Sequence, residues 1–349
     1  MKYPIVQAPM AGGNATPALV HAVSQAGGLG FLAGGYKEKA TLREEMYSVR
    51  ALGTTEFGVN LFVPTEPNDM TPAIEEYCSR MRHESEKIDA SVGKYAYSED
   101  RFQEKVDLVI REKVPFVSFT FNAPSQAVVR RIKAAGIRTI LTVTSIEEAQ
   151  IAKSLGIDMI CAQGIEAGGH RASFQDENPR QGLPLIPLVK CIQAQVDLPI
   201  IAAGGIMNGR HIQKVLRAGA KAVQLGTAFL CCPESGTTPL HIQSLLNHTM
   251  KETTFTRAYT GRYARGLRNE FIDRHQTAPK AYPEMHYVTS AFRKRANALG
   301  RADLAAMWAG VNFKQVRVMP AGKLIHLLVE EAELRSVPSF NWKADSELN

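Results

Sequence analysis

Residues 198–230 read "LPIIAAGGIMNGRHIQKVLRAGAKAVQLGTAFL". A short apolar run ends at Gly204-Gly205, and Asn208 stands where a helix would take its N-terminal cap. The next residues carry their aliphatic side chains on one stripe and stop at Gly219, a residue type that accepts the left-handed conformation closing a helix. A second apolar run then ends at Gly226. This is a strand–helix–strand unit, and units like it recur through the first two thirds of the chain.

The candidate strands are "PIVQAPM" (4–10), "GLGFLAG" (28–34), "FGVNLFV" (57–63), "FVSFTF" (116–121), "RTILTVT" (138–144), "DMICAQG" (158–164), "LPIIAAGG" (198–205) and "AVQLGTAFL" (222–230). Helical stripes ending in glycine lie between them, as in "PALVHAVSQAGG" (17–28), "SQAVVRRIKAAG" (125–136) and "SIEEAQIAKSLG" (145–156). Eight such strands predict a (β/α)8 TIM barrel rather than a doubly wound open sheet, which at this length would use fewer strands or a second domain. Residues 64–113 are too long for an ordinary connection and predict a helical excursion after strand three. The expected division is a barrel over 1–232 and a C-terminal helical cap over 233–314, with the last barrel helix and the chain end returning over about 315–349.

The totals narrow the class. The chain has 349 residues, 45% apolar and 21% charged, and no apolar run approaches a membrane span. Its beginning, "MKYPIVQAPMAGG", meets proline and glycine before any signal core, so the cytoplasm is the expected location. Five cysteines lacking CxxC spacing argue against a disulfide framework and against a zinc site. The formal net charge of +7 favours small anionic ligands. Its basic clusters, "TRAYTGRYARGLRNEF" (256–271) and "AFRKRANALGR" (291–301), read as solvated helix faces, since no nucleic-acid recognition module accompanies them.

In a barrel the C-terminal strand ends face the active site. Those ends supply Met10, Gly12, Gly13, Asn60, Asn122, Thr142, Thr144, the stretch Gln163–His170, Gly204, Gly205, and the run Gln224, Leu225, Gly226 and Thr227. Glycines at strand ends seven and eight, followed by a helix N-terminus, form a place where backbone N–H groups can approach a phosphate. In "AQGIEAGGHRASF" (162–174), Gln163 can both donate and accept toward a heterocycle edge, and Gly168 and Gly169 leave room for a flat ring. His170 would project over that ring as a proton carrier. Asn60 either satisfies nearby backbone or offers its amide to the ligand, and Met10 either packs the barrel mouth or lays its thioether against the ring. Glu166 reads as a possible orienter of Arg171 or His170 and equally as a surface carboxylate.

Taken together, "PIVQAPMAGG" (4–13), "GVNLF" (58–62), "AQGIEAGGHRASF", "PIIAAGGIMNGR" (199–210), "AVQLGTAFL" and "TGRYARGLRNEF" (260–271) resemble the nitronate monooxygenase family, in particular its bacterial class. The resemblance implies an FMN-binding TIM barrel that oxidises alkyl nitronates, such as propionate 3-nitronate, with O2 to a carbonyl compound and nitrite. It implies FMN contacts at Met10, Asn60, Gln163, Gly168, Gly205 and Gln224 to Thr227, and a catalytic role for His170. The expected partners are a small anionic nitronate and O2, with no metal, nucleic acid or membrane, in a monomer or homodimer. Val311 and Asn312, in "MWAGVNFKQVRVMPAG" (307–322), depart from the family's usual glutamine and small residue, a departure expected to bear on substrate contacts at the cap. Two alternatives share the barrel: a flavin-dependent enoyl-acyl-carrier-protein reductase using NAD(P)H, and a non-catalytic flavin-binding protein.

Overall fold

The computed structural model describes residues 1–334 apart from Glu177 and His248. Eight parallel strands form one sheet: β1 (Ile5–Gln7), β2 (Phe31–Ala33), β3 (Gly58–Phe62), β4 (Phe116–Thr120), β5 (Arg138–Val143), β6 (Met159–Gln163), β8 (Ile200–Ala203) and β9 (Ala222–Leu225). Each falls within one of the eight runs read from the sequence. Their spatial order, β1-β9-β8-β6-β5-β4-β3-β2, brings the two ends of the sheet together. The seam between β1 and β2 is carried by a Val6–Leu29 bridge and by the buried amide of Gln7, whose Oε1 accepts from Phe31 N at 3.1 Å. The fold is thus the expected (β/α)8 barrel.

Eight helices surround it: α1 (Pro17–Gln25), α2 (Lys39–Ala51), α4 (Phe102–Arg111), α5 (Gln126–Ala134), α6 (Ile146–Ser154), α7 (Leu185–Gln195), α8 (Gly209–Arg217) and α13 (Ala321–Glu331). Local chemistry sets their starts. Thr16, Ser125, Ser145 and Asn208 each accept a backbone N–H at the helix N-terminus, a bond that typically stabilises by about 1 kcal/mol. The C-terminal α13 packs between α1 and α8 and completes the ring. Residues 335–349, where the chain end was expected to return, lie outside the described residues.

The other elements cover the C-terminal mouth. They are α3 (Pro72–Glu86), α9 (Pro239–Leu246), α10 (Glu270–Arg274), α11 (Glu284–Val288), α12 (Ser290–Ala298), and an antiparallel sheet of β7 (Gly169–His170), β10 (Thr253–Thr256) and β11 (Ala264–Leu267). The two helices of residues 64–113 go different ways. Helix α4 lies against β3, α2 and α5 in the ring, whereas α3 buries Ile74, Tyr77 and Met81 against Tyr259, Phe271, Met285 and Phe292 of the cover.

Strand register decides what reaches the mouth. Phe31, Phe116, Ile140, Met159, Cys161, Ile201 and Ala222 form one apolar cluster, and residues of opposite parity such as Val59, Val117, Leu141, Ile160 and Ala202 pack in another with the helices. Successive side chains alternate across a strand, so the inward parity continues upward as Asn60, Thr120, Thr142, Gln163, Ala203 and Gln224. Gly58 is part of this filling, because a Cβ there would sit 2.1 Å from the Phe31 ring.

Two buried histidines away from the mouth give the fold an acid-sensitive element. His241 of α9 and His275, stacked on Phe271 at 4.2 Å, are each pulled by burial to about 4, against an ordinary value of 6.5. Both are neutral in the native state at pH 7, and unfolding lets them take up protons once the pH drops below 6.5. Stability is therefore unaffected by them above that value and falls as the pH descends toward 4, by up to about 1.4 kcal/mol per pH unit for each group. Denaturant unfolding followed from pH 7 to pH 5 should show this decline, and His275→Phe should make it shallower. An identical slope in the variant would remove His275 from the account.

Candidate active site

One cavity of about 230 Å³ opens at the C-terminal strand ends beneath the cover. Met10, Asn60, Gln163, Gly168, His170, Gly204, Gly205, Gln224, Leu225, Gly226 and Thr227 all line it, although they are spread over more than two hundred residues of sequence. Gly12 and Thr142 join them, while Gly13, Asn122 and Thr144 do not. The Asn122 side chain accepts from the next amide, Ala123 N, and Thr144 is bonded to buried Glu148, so both serve local structure.

At one end of the cavity the backbone forms a cradle. Gly205 has φ +64 and a Cβ there would press on Glu166 and on the Asn312 amide, so the turn after β8 requires glycine. Gly226 and Thr227 open a short 3-10 turn, Thr227–Phe229, and among the described residues no carbonyl accepts from their amides. Unengaged N–H groups at such a turn suit an anionic oxygen.

The departure at Val311 and Asn312 lies beside this cradle. Asn312 Nδ2 donates to Gly205 O at 2.6 Å, Gly310 N donates to Thr227 Oγ1 at 3.0 Å, and Val311 N donates to Glu166 O at 3.1 Å. Residues 308–312 therefore tie the cover to the cradle.

Along the cavity floor, Asn60 spends Nδ2 on Ser118 and Thr120, and among the described residues nothing donates to its Oδ1. The reading of Asn60 as satisfying nearby groups accounts for its Nδ2, while its Oδ1 stays open. Gln224 has no side-chain hydrogen bond among the described residues, so its amide too is available to a ligand, and Met10 Sδ lies 3.7 Å from where a Gly226 Cβ would be. A planar group with a polar edge and an anionic end matches this set of open acceptor, open amide and cradle.

Gln163 acts differently from expectation. Gln163 Nε2 donates to His170 O at 3.0 Å and its Oε1 accepts from Ala172 N at 2.9 Å, so the amide holds the backbone around His170 and has little left for a ligand edge. A Cβ on Gly168 would stand 2.4 Å from the Ala309 carbonyl carbon, so the close approach of the cover requires glycine here. Glu166 orients neither His170 nor Arg171; it accepts from Leu185 N and caps α7.

His170 sits among Phe121, Tyr282 and Trp308, with ring centroids at 5.7, 5.8 and 5.5 Å. Its Nε2 is 2.9 Å from Thr260 Oγ1. Burial first, and then Arg262 and Arg293, pull it down to about 3, so the imidazole is neutral at physiological pH. These two arginines depart from the solvated-face reading, which Arg268, Arg295 and Arg301 of the same segments keep. Arg262 is 2% exposed, bonded to the carbonyls of Arg171 and Ser173, with its guanidinium 4.4 Å from the Phe121 ring centroid. Arg293 lines the cavity, and among the described residues no carboxylate lies within ion-pair distance of it.

Tyr36, Phe121, His286, Arg293 and Trp308 also line the cavity and were not singled out from the sequence. Tyr36 and Phe121 follow barrel strands with φ of 63 and 82, but nothing in their sequence neighbours signals that conformation. Tyr259, buried in the cover, is bonded to Asn269, so its aromatic ring does not reach the cavity. All five cysteines are free thiols, and burial holds those of Cys231 and Cys232 up, to about 11 and about 12.

Fold and cavity together define a (β/α)8-barrel enzyme with its site at the C-terminal mouth under a helical cover. Comparison narrows this class. The model of the family described as nitronate monooxygenase matches residues 1–331, and the chain belongs to that family, making it a flavin-dependent oxidoreductase. A Staphylococcus aureus protein (strain MSSA476) named "Probable nitronate monooxygenase" is 36% identical over 339 residues, 95% of this chain and 94% of its own. A nitroalkane oxidase from Streptomyces ansochromogenes superposes with a TM-score of 0.92 at 41% identity, covering 95% of this chain and 96% of its own. FabK from Thermotoga maritima is more distant, with a TM-score of 0.74 at 27% identity over 96% of this chain and 94% of its own. No helix among the described residues is long and apolar enough to cross a membrane.

The two glycines before His170 separate packing from backbone strain. Gly169→Ala meets open space at φ +78 and should cost about 1 kcal/mol, the price of a left-handed alanine. Gly168→Ala must push the 309–310 backbone aside and should cost about 3 kcal/mol or more, with weaker flavin retention. Thermal unfolding and flavin content of the two variants check this order.

Proposed function

We propose that the cavity binds FMN and oxidises alkyl nitronates, of which propionate 3-nitronate is an example, with O2 to a carbonyl compound and nitrite, in the cytoplasm. In this reading Gly204, Gly205, Gly226 and Thr227 hold the phosphate. Met10, Asn60, Gln224 and Leu225 border the ring, with Gln163 and Gly168 holding His170 and the cover in place around it. The bound flavin supplies the electron acceptor that no side chain can provide.

The observation that carries the substrate class is the meeting, in one cavity, of the neutral His170 imidazole and the Arg293 guanidinium, which has no carboxylate partner among the described residues. A cation in a dry site favours an anion. An imidazole held near 3 is a weak base, so it is poorly matched to removing a proton from a neutral nitroalkane. It is better matched to receiving a preformed anion, whose charge raises its proton affinity as the two approach. The preformed nitronate is therefore the substrate, in preference to the neutral nitroalkane. Similarity to the Streptomyces nitroalkane oxidase, over that to FabK, supports oxidation of a nitro compound rather than reduction of an enoyl group, and the nitronate monooxygenase family match supports the nitronate form.

The purified protein should be yellow and release FMN on denaturation. Anaerobic ethyl nitronate or propionate 3-nitronate should bleach it, and NADPH should not. His170→Ala should keep its FMN, because the proposed phosphate and ring contacts lie elsewhere, and lose about a hundredfold or more in turnover. Bleaching by NADPH alone would move the assignment to the enoyl reductase, and a colourless protein that refuses FMN would end the flavin mononucleotide reading.

A further inference from the structure

A second histidine shares the cavity. His286 of α11 is 9% exposed and lies flat on Tyr36, with ring centroids 3.7 Å apart and planes 8° from parallel. Arg293 Nη2 is 3.1 Å from His286 Nδ1 and 2.9 Å from its carbonyl oxygen, while Arg293 Nε donates to Thr289 Oγ1 at 3.1 Å. A guanidinium has donors only, so Nδ1 must be the acceptor in this contact. The single proton of the neutral ring is then on Nε2, which has no hydrogen-bond partner among the described residues. Burial, followed by Arg293, His170 and Lys294, holds this imidazole well below its ordinary range and so keeps it neutral.

His170 has a different kind of partner. Its Nε2 is 2.9 Å from the Thr260 hydroxyl, which can donate or accept and also lies 3.3 Å from Arg262 O. Of the two imidazoles, His286 is the one whose partner can only donate.

We infer that His286 is a substrate-contacting residue whose Nε2–H donates to an oxygen of the nitronate, and that Arg293 is the positioning residue fixing the tautomer that can do so. The inference rests on the nitronate reading above. Only this tautomer helps, because a lone pair turned toward an anionic oxygen repels it, whereas an N–H makes a charge-assisted hydrogen bond. The stack on Tyr36 and the bond from Arg293 to Nδ1 restrain the ring, and the second Arg293 bond, to the His286 carbonyl, restrains the backbone beneath it.

The test uses the FMN-loaded protein. His286→Phe keeps an aromatic ring on Tyr36 and removes the donor, and His286→Gln restores an N–H at the end of a side chain of similar reach. The dissociation constant of ethyl nitronate, from the concentration dependence of anaerobic bleaching, should rise at least tenfold in His286→Phe with FMN content unchanged. His286→Gln should recover most of that loss. Nitrogen-15 spectra of histidine-labelled wild-type protein, assigned against His286→Phe, should show His286 protonated at Nε2 and bare at Nδ1. Arg293→Met should yield a tautomer mixture. Wild-type protein that bleaches normally, paired with unchanged affinity in His286→Phe or with a proton on Nδ1, overturns the inference alone. Failure of every nitronate to bleach the wild-type protein overturns the nitronate reading and this inference together.

Discussion

The two-residue alternation of the barrel strands is the constraint on which the site depends. Eight strands bury both faces, and the parity that places Phe116, Ile140, Met159 and Ile201 in the barrel interior also sends Asn60, Thr142, Gln163 and Gln224 into the mouth. A slip of one residue in any strand would turn its polar residue onto the helix layer and its aliphatic residue into the cavity. Such an exchange loses about 1.5–3 kcal/mol for each large aliphatic side chain brought out of the core, before the stranded amide is counted. The chemistry at the top of the barrel is thus held in place by the packing beneath it.

Above the strands, bonds to amides and carbonyls tie the loops of the site to one another. Gln163 clasps both sides of the His170 loop, Glu166 caps α7, and Asn312 and Gly310 tie the cover to the cradle after β8 and β9. No carboxylate among the described residues lies within ion-pair distance of Arg293, so its positive charge is left facing the cavity. The same dry surroundings hold His170 neutral and leave the guanidinium charged, since an arginine retains its proton through perturbations that strip a histidine of its own.

The cover also explains how two imidazoles in one cavity come to differ. His170 belongs to a loop of the barrel and meets the hydroxyl of Thr260, whereas His286 belongs to the cover and meets the guanidinium of Arg293. A guanidinium can only donate, so Arg293 decides which nitrogen of His286 carries the proton, whereas the Thr260 hydroxyl can serve His170 as donor or acceptor. Neither partner adjoins its histidine in the chain: ninety residues separate His170 from Thr260.

Much of this protein was legible in its sequence because strand length, helix stripe and glycine stops are local signals. All eight barrel strands, the excursion after the third, and the glycines and histidine of the mouth follow from them. Tertiary structure alone decided what each side chain does there. Gln163 and Gly168 serve the loop and the cover, and Arg262 and Arg293, written in stretches that read as solvated, are turned inward by α12 and the small antiparallel sheet. The physical reason is that periodicity tells which residues share a face, whereas charge state, hydrogen-bond partner and exposure depend on segments distant in the chain that close over that face.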